Sequence, residues 1–412
     1  MGEWKTYRLG EIATIKGGKR LPKGVNLIKI RNSHPYIRIR DIGKTKNIEL
    51  DSTYEYVDDD TQKTIARYIV QEGDILISIV GTIGLVGIVG KSLDSANLTE
   101  NCVKLTNLRG VEKDFLFYFL KSEYGQNEIN KGIVGAVQAK LPIKNIENIK
   151  IPIPSLEEQR RIAAILGALD DKIELNRRIN ANLEEQAQAL FKSWFVDFEP
   201  FRDSPFVDSE LGKIPQGWKV GTLSEIGAVI GGGTPSKIVS EYYTDNGIAW
   251  ITPKDLSTNN CKFTSMGETD ISELGYKNSS AKLMPRGSVL FSSRAPIGYI
   301  SIAKNEICTN QGFKSIVPQK AGTCFIYYFL RNNTSKIESM ASGSTFKEAS
   351  GGLMKSLEVI IPTNKILTAF EEAIQPLFDM QEHNEDENAR LSVLRNTLQP
   401  KLMAGEINVE NQ

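Results

Sequence analysis

The sequence predicts an α/β (α+β) protein with two globular domains joined by two long helices that form an antiparallel coiled coil within the chain. Three observations support this prediction. A segment near the start recurs 214 residues later, two stretches have a sustained heptad pattern, and short β-rich runs punctuated by Gly, Asn and Asp precede each stretch. We therefore expect a pseudo-twofold repeat in which each half is one domain followed by one helix.

The repeat is clearest between residues 4–18 and 218–232, where seven of 15 positions are identical. Two copies of this length are too few and too long for a solenoid, which indicates a duplicated domain. Further matches keep the offset of 214 and then an offset of 210: Asp41 with Asp255, Gly73 with Gly287, Ser78 with Ser292, Thr99 with Thr309, Lys104 with Lys314, and Tyr118 with Tyr328.

The chain divides into four predicted segments. The first domain, 1–154, ends at the motif I-P-I-P, because proline cannot continue a strand ladder or a helix interior. The first helix occupies 155–198, a linker and the second domain occupy 199–362, and the second helix with a tail occupies 363–412.

The first helix opens with a capping box formed by Ser155 and, three residues later, Glu158. Its core positions then recur at alternating steps of four and three, as in a coiled coil. About 40 residues at a rise of 1.5 Å give a rod of roughly 60 Å. The predicted core residues are Ile162, Leu166, Leu169, Ile173, Asn176, Asn180, Leu183, Ala187, Leu190 and Trp194.

The second helix begins near Thr363 and follows the same alternation. Pro376 lies inside it and is expected to produce a kink, because it removes one hydrogen bond of the helix. For the first helix, a long core helix of a globular domain is the alternative. The predicted core residues are Ile366, Phe370, Ala373, Leu377, Met380, Asn384, Glu387, Leu391, Leu394 and Leu398.

Both helices place polar residues at two successive core positions near their middles, Asn176 and Asn180 in the first, Asn384 and Glu387 in the second. In an antiparallel pair these layers would face each other, which costs stability but fixes the register. A parallel pair would require the second repeat to fold back along the first rod. Replacing Asn176 and Asn180 by Leu is then expected to raise thermal stability and to loosen the register.

The charge is distributed unevenly although the chain as a whole is neutral, with 50 basic and 50 acidic residues. Residues 1–150 hold 23 Lys and Arg against 18 Asp and Glu, and residues 212–362 hold 16 against 11. The segment 363–412 is acidic, with 4 against 9. Two basic repeats slightly favour a protein that binds a polyanion over one whose basic side chains are merely solvated.

The residues that most enzymes use are scarce. The two histidines and four cysteines show no metal or redox spacing, which predicts reduced thiols in a cytoplasmic protein and no metal site. The stretch 84–92 resembles a phosphate-binding loop but has Leu85 where that motif needs Gly. No signal peptide or membrane span is evident. We therefore expect a chain without catalytic residues and without a cofactor of its own.

Several motifs follow one another in a recognisable order. The second repeat has G-G-G-T-P-S at 231–236, W-I-T-P-K-D-L at 250–256, F-S-S-R-A-P-I-G-Y at 291–299 and N-Q-G-F-K at 310–314; the first has Y-I-R-I-R-D-I at 36–42 and I-S-I-V-G-T-I-G at 77–84. I-P-I-P-S-L-E-E-Q-R-R-I at 151–162, F-V-D-F-E-P-F at 195–201 and L-Q-P-K-L-M-A-G-E-I at 398–407 complete the set. Together with the duplication, they resemble the specificity subunit of type I restriction-modification systems.

The resemblance implies a non-enzymatic DNA reader. Each domain would be a target-recognition domain for one half of a bipartite double-stranded DNA site, and the coiled coil would fix the spacing between the half-sites. The subunit would dock two modification subunits, which methylate adenine with S-adenosylmethionine, and would recruit restriction or translocase subunits driven by ATP and Mg.

The candidate DNA-contacting residues lie in loops where the repeats diverge. Lys and Arg would neutralise phosphates, while Arg, Lys, Asn, Gln, Ser and Thr would reach base edges. In the first repeat they are Lys19, Arg20, Arg38, Arg40, Ser78, Thr82, Asn101 and Lys104; in the second they are Thr234, Lys237, Lys254, Ser292, Arg294, Gln311 and Lys314. Arg294→Ala is expected to affect one half-site only.

Some alternatives stay open. The repeated aromatic residues, exemplified by Tyr118 and Tyr328, could stack on bases but are better explained as core residues. Trp194 could contact a modification subunit or cap the coil against a domain. Two other classes of function compete: a DNA methyltransferase or nucleotide-binding enzyme with degenerate motifs, and a coiled-coil scaffold between proteins.

Overall fold

The computed structural model describes residues 4–259, 261–343, 347–407 and 409. It divides into two compact units. Unit 1 comprises Met1–Leu175 and Asn388–Gln412, and unit 2 comprises Asn176–Glu387. Each unit therefore contains one globular domain together with a part of each long helix. None of the helices in the described part of the chain is both long and apolar enough to span a bilayer.

The elements of the first domain are short, because glycines and polar turns interrupt its β-rich runs. Its strands are β1 Lys5–Arg8, β2 Thr14–Gly17, β3 Tyr36–Ile37, β4 Asn47–Ile48, β5 Ile75–Ser78, β6 Val86–Val89, β7 Asn97–Leu98, β8 Cys102–Thr106 and β9 Lys150–Ile153. Its helices are α1 Leu9–Ile12, α2 Asp59–Ile65, α3 Lys113–Lys121, α4 Glu123–Lys131 and α5 Ile143–Glu147, after which the long helix α6 covers Leu156–Phe195.

The first domain is built on a five-stranded sheet in the order β2-β8-β5-β6-β4. Its strands pair antiparallel except for β4, which runs parallel to β6. Helix α3 is buried along most of its length, and Phe115, Tyr118 and Phe119 lie in the core of unit 1. The segment resembling a phosphate-binding loop holds strand β6, whose residues are buried and paired with β5.

The second domain repeats this pattern. Its strands are β10 Phe206–Ser209, β11 Gly212–Pro215, β12 Lys219–Thr222, β13 Gly227–Gly231, β14 Tyr243–Thr244, β15 Trp250–Ile251, β16 Phe263–Thr264, β17 Asp270–Ile271, β18 Val289–Ser293, β19 Ile297–Ala303, β20 Cys308–Thr309, β21 Lys314–Pro318 and β22 Glu358–Ile361. Its helices are α7 Leu223–Ile226, α8 Pro253–Thr258, α9 Glu273–Lys277, α10 Thr323–Met340 and α11 Gly351–Ser356, and the second long helix, α12, covers Asn364–Met403.

The two domains share one topology. The second sheet has the order β13-β21-β18-β19-β16, with β16 parallel to β19. Outside the sheets, β1 pairs antiparallel with β9 as β12 does with β22, and β3 pairs parallel with β7 as β15 does with β20. The predicted α/β repeat is thus confirmed for the five-stranded sheets and for these two strand pairs.

In each unit the long helices run antiparallel, as predicted. In unit 2, Asn176 Nδ2 donates to Glu387 Oε2 over 2.7 Å, and Asn384 Nδ2 donates to Asn180 Oδ1 over 2.8 Å. The polar layers therefore face each other and bond to one another. In unit 1, Arg395 Nη1 donates to Asp170 Oδ1 over 2.6 Å, which fits the same direction of pairing.

The strict heptad register is wrong at four predicted core positions. Ala373 is exposed, and Leu190, Met380 and Leu394 are 37%, 50% and 45% exposed. In unit 2 the neighbouring Phe191 and Phe378 are buried instead, in the same core as Tyr328. The physical reason is that each helix packs against a globular domain as well as against the other helix, which widens and rotates the buried stripe relative to that of a free coiled coil.

The core of unit 2 bears on two further expectations, those for the repeated aromatic residues and for Trp194. Phe325, Tyr328 and Phe329 are buried there, so the aromatic residues of this repeat pack the interior and do not form a platform for bases. Trp194, near the end of α6, is partly buried and packs edge to face against Phe201 of the linker and close to Phe370 of α12. Contact of Trp194 with a modification subunit stays a prediction. Cys102, Cys308 and Cys324 are buried and unpaired, whereas Cys261 is partly exposed.

In each unit a largely buried lysine lies against a tyrosine that bonds to a long helix. In unit 1, Lys46 lies 5.4 Å above the ring of Tyr118, whose hydroxyl donates to Asp170 of α6 over 2.9 Å. In unit 2, Lys262 lies 5.1 Å above the ring of Tyr328, whose hydroxyl donates to Glu184 of α6 over 3.0 Å. The same arrangement of ammonium, phenol and helix carboxylate thus occurs in both repeats.

Candidate nucleic-acid interface

A pair of glycines brings two loops together in each domain. A Cβ atom on Gly18 would lie 2.0 Å from the carbonyl oxygen of Thr99, and one on Gly232 would lie 1.9 Å from that of Asn310. Only glycine permits this approach, because such distances are far below van der Waals contact. The loop after the glycines is therefore held against the segment that carries Asn101 in unit 1 and Gln311 in unit 2.

One aromatic side chain then fixes the backbone of that loop. Tyr36 donates its hydroxyl hydrogen to the carbonyl of Lys19 over 2.8 Å, and Trp250 donates Nε1–H to the carbonyl of Gly233 over 2.9 Å. Both rings are buried, so each hydrogen bond satisfies a polar atom in a dry environment. The candidate side chains that follow, Lys19 and Thr234, are thereby presented from a rigid backbone.

An aspartate orders the next loop. The backbone N–H of Arg38 donates to Asp41 Oδ2 and that of Thr252 donates to Asp255 Oδ2, both over 2.7 Å. Each aspartate caps the start of a short helical turn, which sets the direction of Arg40 or Lys254. Burial raises the pKa of Asp41 to about 6, against the opposing effect of Arg40.

In unit 2 these loops enclose a cavity of about 530 Å³, here called the unit 2 cavity. Five of the seven residues predicted for this repeat line it, namely Thr234, Lys237, Lys254, Arg294 and Gln311. Residues that the sequence did not single out complete the lining: Trp250, Thr252, Pro253, Asp255, Glu268, Thr269, Ala295, Asn310 and Gly312. The five residues come from four separate loops of the sequence, and the structure brings them to one surface.

Carboxylates accompany the cations of the unit 2 cavity. Lys254 Nζ lies 2.6 Å from Glu268 Oε2 on the exposed rim. Arg294 of the lining has its Nη1 3.5 Å from Glu348 Oε2, and Glu348 Oε1 lies 3.1 Å from Lys314 Nζ. Glu348 was not predicted, because an acidic side chain does not suggest a DNA contact until its cationic neighbours are known. This surface combines donors and acceptors, as base recognition requires.

The equivalent surface in unit 1, here called the unit 1 face, comprises Lys19, Arg20, Thr82, Asn101 and Lys140. Two backbone hydrogen bonds assemble it: Ile79 N–H donates to the Asn101 carbonyl over 2.8 Å, and Leu141 N–H donates to the Ile79 carbonyl over 2.9 Å. Arg20 pairs with Glu100 at 2.7 Å. Lys140 was missed, although it pairs across a bridge with Val80, next to the predicted turn.

Two predicted contacts, Ser78 and Ser292, are wrong. Both side chains are fully buried. The Ser78 hydroxyl donates to the carbonyl of Thr82 and accepts from Leu85 N–H, and that of Ser292 donates to the carbonyl of Pro296 and accepts from Tyr299 N–H. Each serine therefore closes the turn that presents its neighbours and cannot itself reach a base.

Lys104 is also wrong as a DNA contact, because its ammonium lies 3.0 Å from Asp74 Oδ2 with both side chains almost completely buried. Its equivalent, Lys314, is mostly buried and lies 3.1 Å from Glu348 Oε1. Arg38 is paired with Glu55 and points partly inward, whereas Arg40 remains more than half exposed. Among the basic candidates beside Asp41, Arg40 is thus the better placed.

Among the described residues, no group of three or more His, Cys, Asp or Glu side chains is placed so that it could hold a metal ion. The cysteines are unsuited to nucleophilic catalysis as well. Burial raises the pKa of Cys102 and that of Cys308 to about 12, which keeps both as thiols. The surfaces described above can bind and discriminate, but they hold no evident reacting group.

Comparison with known proteins identifies relatives of this arrangement. The family described as type I restriction modification DNA specificity domain matches residues 1–185 and 215–388. The HindI specificity subunit of Haemophilus influenzae is 28% identical over 481 aligned residues, which cover 99% of this chain and 100% of that protein. The MjaIX specificity subunit of Methanocaldococcus jannaschii is 36% identical over 189 residues, 45% of this chain and 44% of that protein.

A solved structure has the same fold. The S subunit of a type I restriction-modification system from M. genitalium superposes with a TM-score of 0.60 at 17% sequence identity. The match covers 97% of this chain and 96% of that chain. The duplicated domains and the long helices described above are therefore an architecture that also occurs elsewhere.

Proposed function

The chain belongs to the family of type I restriction-modification DNA specificity domains, and from this premise we propose that its two domains read the two halves of a bipartite DNA site. It is a specificity subunit, the recognition component of such a system and not a catalytic one. The observation that most supports the proposal is the convergence of Thr234, Lys237, Lys254, Arg294 and Gln311 on one cavity.

The two surfaces would read different sequences. Arg38 and Arg40 in the first domain stand where the second has Thr252 and Lys254, and the residues after the glycine pair differ as well. Exposed lysines and arginines would bind phosphates, and the side chains deeper in each surface would reach base edges in the major groove. An asymmetric site, with a different half for each domain, follows from this divergence.

The paired helices would fix the distance between the half-sites. The layers Asn176–Glu387 and Asn180–Asn384 permit one register, because a shift would leave buried polar groups without partners. A rigid connection then selects one spacer length in the DNA, much as dimer geometry does in repressors with two half-sites.

Partner subunits would dock on apolar residues that the fold leaves exposed on the helices. In unit 2 these include Leu190 and Met380, and in unit 1 Leu175, Val393 and Leu394. We infer that two modification subunits bind there and supply S-adenosylmethionine, while restriction or translocase subunits supply ATP hydrolysis with Mg. A cytoplasmic location, where such DNA would be met, is part of the same proposal.

The proposal is tested by mapping methylated adenines in cells with and without this gene and its modification subunits. One bipartite motif should lose methylation when only this gene is removed. If every methylated motif persists, the assigned role is wrong. Binding of S-adenosylmethionine or ATP by the isolated chain would favour the enzyme alternative, and absence of DNA binding by the assembled complex would favour the scaffold alternative.

The salt dependence of DNA binding gives a second test, specific to the unit 2 cavity. Lys254→Ala should weaken binding by the assembled complex on all sequences and make the slope of log K against log salt shallower by about one. Lys213→Ala is the matched control, because Lys213 is an exposed lysine of the same unit on the β10–β11 hairpin. Equal slopes for the two variants would remove Lys254 from the interface.

A further inference from the structure

We propose that Arg294 and Glu348 act as one unit that reads a G·C base pair, with the guanidinium on guanine and the carboxylate on cytosine. This inference rests on the proposed DNA-reading function and names one base pair of the half-site assigned to unit 2. It begins from an ion pair beside the unit 2 cavity, where Arg294, which lines the cavity, has its Nη1 3.5 Å from Glu348 Oε2.

The backbone holds the two residues side by side. Ser293 N–H donates to the carbonyl of Gly312 over 2.7 Å, and Ala349 N–H donates to the carbonyl of Ser293 over 2.9 Å. The residues next to Ser293 and Ala349 are Arg294 and Glu348, so both side chains start from one short ladder. Glu348 N–H donates in turn to the carbonyl of Ser342 over 2.9 Å, which fixes the far side of this loop.

Lys314 sets the electrostatics of the pair. Its ammonium lies 3.1 Å from Glu348 Oε1 and is mostly buried, whereas Arg294 and Glu348 are each about one-third exposed, at 36% and 37%. Lys314 thus lies behind the carboxylate and compensates its charge, so that Glu348 can face DNA without a net repulsion from phosphates. The carboxylate keeps lone pairs for a further donor, because each ionised oxygen accepts more than one hydrogen bond.

The chemistry of base edges selects the G·C pair. In the major groove guanine offers two acceptors, N7 and O6, and cytosine beside it offers one donor, the N4 amino group. The fork of Arg294 matches the two acceptors, and Glu348 matches the donor. Adenine has a single acceptor beside its amino group, so at an A·T pair the guanidinium would lose one of two hydrogen bonds.

Glu348 has a second role in this arrangement. An isolated arginine would bind any phosphate or acceptor within reach, but a carboxylate at 3.5 Å holds the guanidinium toward one direction and penalises bases that present an acceptor to it. Discrimination therefore comes from attraction on the guanine side and from an unsatisfied carboxylate when cytosine is replaced.

The experiment uses the assembled complex with its modification subunits and measures both the methylated motif and DNA affinity. Arg294→Ala and Glu348→Ala should each relax the same G·C position in the half-site of unit 2, with a loss of about 10- to 100-fold in discrimination. The other half-site should be read as before. Arg202→Ala and Glu199→Ala, which break an exposed ion pair of unit 2 at 3.2 Å, are the matched controls.

Modified bases test the wild-type protein directly, which keeps the proposal falsifiable if a variant does not fold. 7-Deazaguanine at the position removes N7 and should weaken wild-type binding but not that of Arg294→Ala. N4-Methylcytosine blocks the groove-facing amino hydrogen and should weaken wild-type binding but not that of Glu348→Ala. Wild-type binding indifferent to both analogues overturns the proposal.

The outcomes separate this inference from the function on which it rests. If the two variants relax different positions, or an A·T position, the assignment of the pair is wrong and the reading function of unit 2 stands. If neither variant changes recognition at any position while the motif is still methylated, the unit 2 cavity is not the reading surface, and the proposed function of that surface fails with the inference.

Discussion

Lys262 lies in the interior of unit 2 against the rings of Tyr327, Tyr328 and Phe378, and only 8% of its side chain is exposed. Its ammonium is 2.7 Å from Glu184 Oε2 and donates to Gln381 Oε1 over 2.8 Å. This one residue of the second domain therefore contacts both long helices. Because the ion pair is buried, the loss of Glu184 and the loss of Lys262 should reduce the free energy of unfolding by different amounts.

Glu184→Gln should destabilise unit 2 more than Lys262→Met. The first change leaves a buried ammonium without its counter-charge and should cost about 3 kcal/mol. The second leaves Glu184 bonded to Tyr328 and Gln381, with Arg331 beside it, and should cost about 1–2 kcal/mol. Urea unfolding of the full chain, combined with hydrogen exchange in unit 2, measures both. Lys213→Met is the exposed control, and the reverse order of the two variants would contradict this account.

The stability of unit 2 should depend on pH through Lys262. Burial lowers the pKa of Lys262 from 10.5 to about 8, against the attraction of Glu184. Between these values the unfolded chain binds more protons at this residue, so its contribution to stability rises with pH across that window. The cost of burying the charge is complete below pH 8 and is relieved towards pH 10.5.

Unfolding of the wild type and of Lys262→Met at pH 7.5 and pH 10 isolates this effect, because the other titrating groups are common to both chains. Four other titratable side chains face the ammonium of Lys262 and should be left unchanged, namely Glu184, Glu385, Arg331 and Cys324. The wild type should gain stability relative to the variant at the higher pH. A constant difference between the two would show that Lys262 titrates as an exposed lysine does.

Residue type and divergence between the repeats singled out five residues that line one cavity in unit 2, among them Arg294 and Gln311. Their contact with DNA stays a prediction. Ser78 and Ser292 were misassigned because a serine hydroxyl is equally suited to closing a turn, and residue type does not reveal burial. Glu348 was missed because an acidic residue is not an obvious ligand for DNA until its cationic neighbours are known.

At the scale of elements, the periodicity of the helices was sufficient to predict their existence and direction, and not their buried faces. The heptad rule describes two helices that touch only each other. Here Phe191 and Phe378 pack against the second domain, so the apolar stripe is displaced by one residue, from Leu190 to Phe191 and from Leu377 to Phe378. The sequence contains both kinds of apolar residue, and only the tertiary contacts decide between them.

Stability should be lost when one residue of a polar layer is replaced and regained when its partner on the other helix is replaced as well. The structure gives Asn180 the partners Asn384 and Gln381, so Asn180→Leu alone would leave buried amides unsatisfied and cost about 1–3 kcal/mol. Asn180→Leu combined with Asn384→Leu should recover that loss or exceed wild-type stability. Thermal unfolding measures both, and the expectation fails if the double variant is less stable than either single variant.

The hydrogen-bond partners of Asn176 and Asn180 change the expectation drawn from the sequence. Replacing Asn176 and Asn180 on one helix would leave their partners Glu387 and Asn384 in the interface with apolar neighbours. Paired replacement removes both sides of a layer and therefore tests the intended question, whether the polar contacts fix the register. The readout for register is the spacer length in the methylated motif, which should broaden in the double variant.

At the scale of the molecule, the C-terminal end of the chain belongs to unit 1 although it follows the second domain in sequence. Leu402 and Met403 are buried in the same core as Phe115 and Ile162, and the Val409 carbonyl accepts a hydrogen bond from Arg161. The segment completes the first domain's attachment to its helices. Sequence adjacency to the second domain therefore says nothing about which unit this segment stabilises.

Leu402→Ala should destabilise unit 1 by about 2–5 kcal/mol through loss of buried surface and the cavity left behind. Hydrogen exchange should rise in residues 4–175 and remain unchanged in residues 176–387. Leu394→Ala is the control, because Leu394 is an exposed leucine on the same helix. Increased exchange confined to residues 176–387 would refute the division of the chain into these two units.

The nesting of the units has a consequence for how the chain is made. Unit 2 is one continuous stretch, whereas unit 1 is split and its second segment is synthesised after unit 2. A nascent chain can therefore complete unit 2 while the core that receives Leu402 and Met403 is still open to solvent. The first domain would then mature after the second although it is synthesised before it, and a chain interrupted before Leu402 would expose that apolar surface to chaperones and proteases.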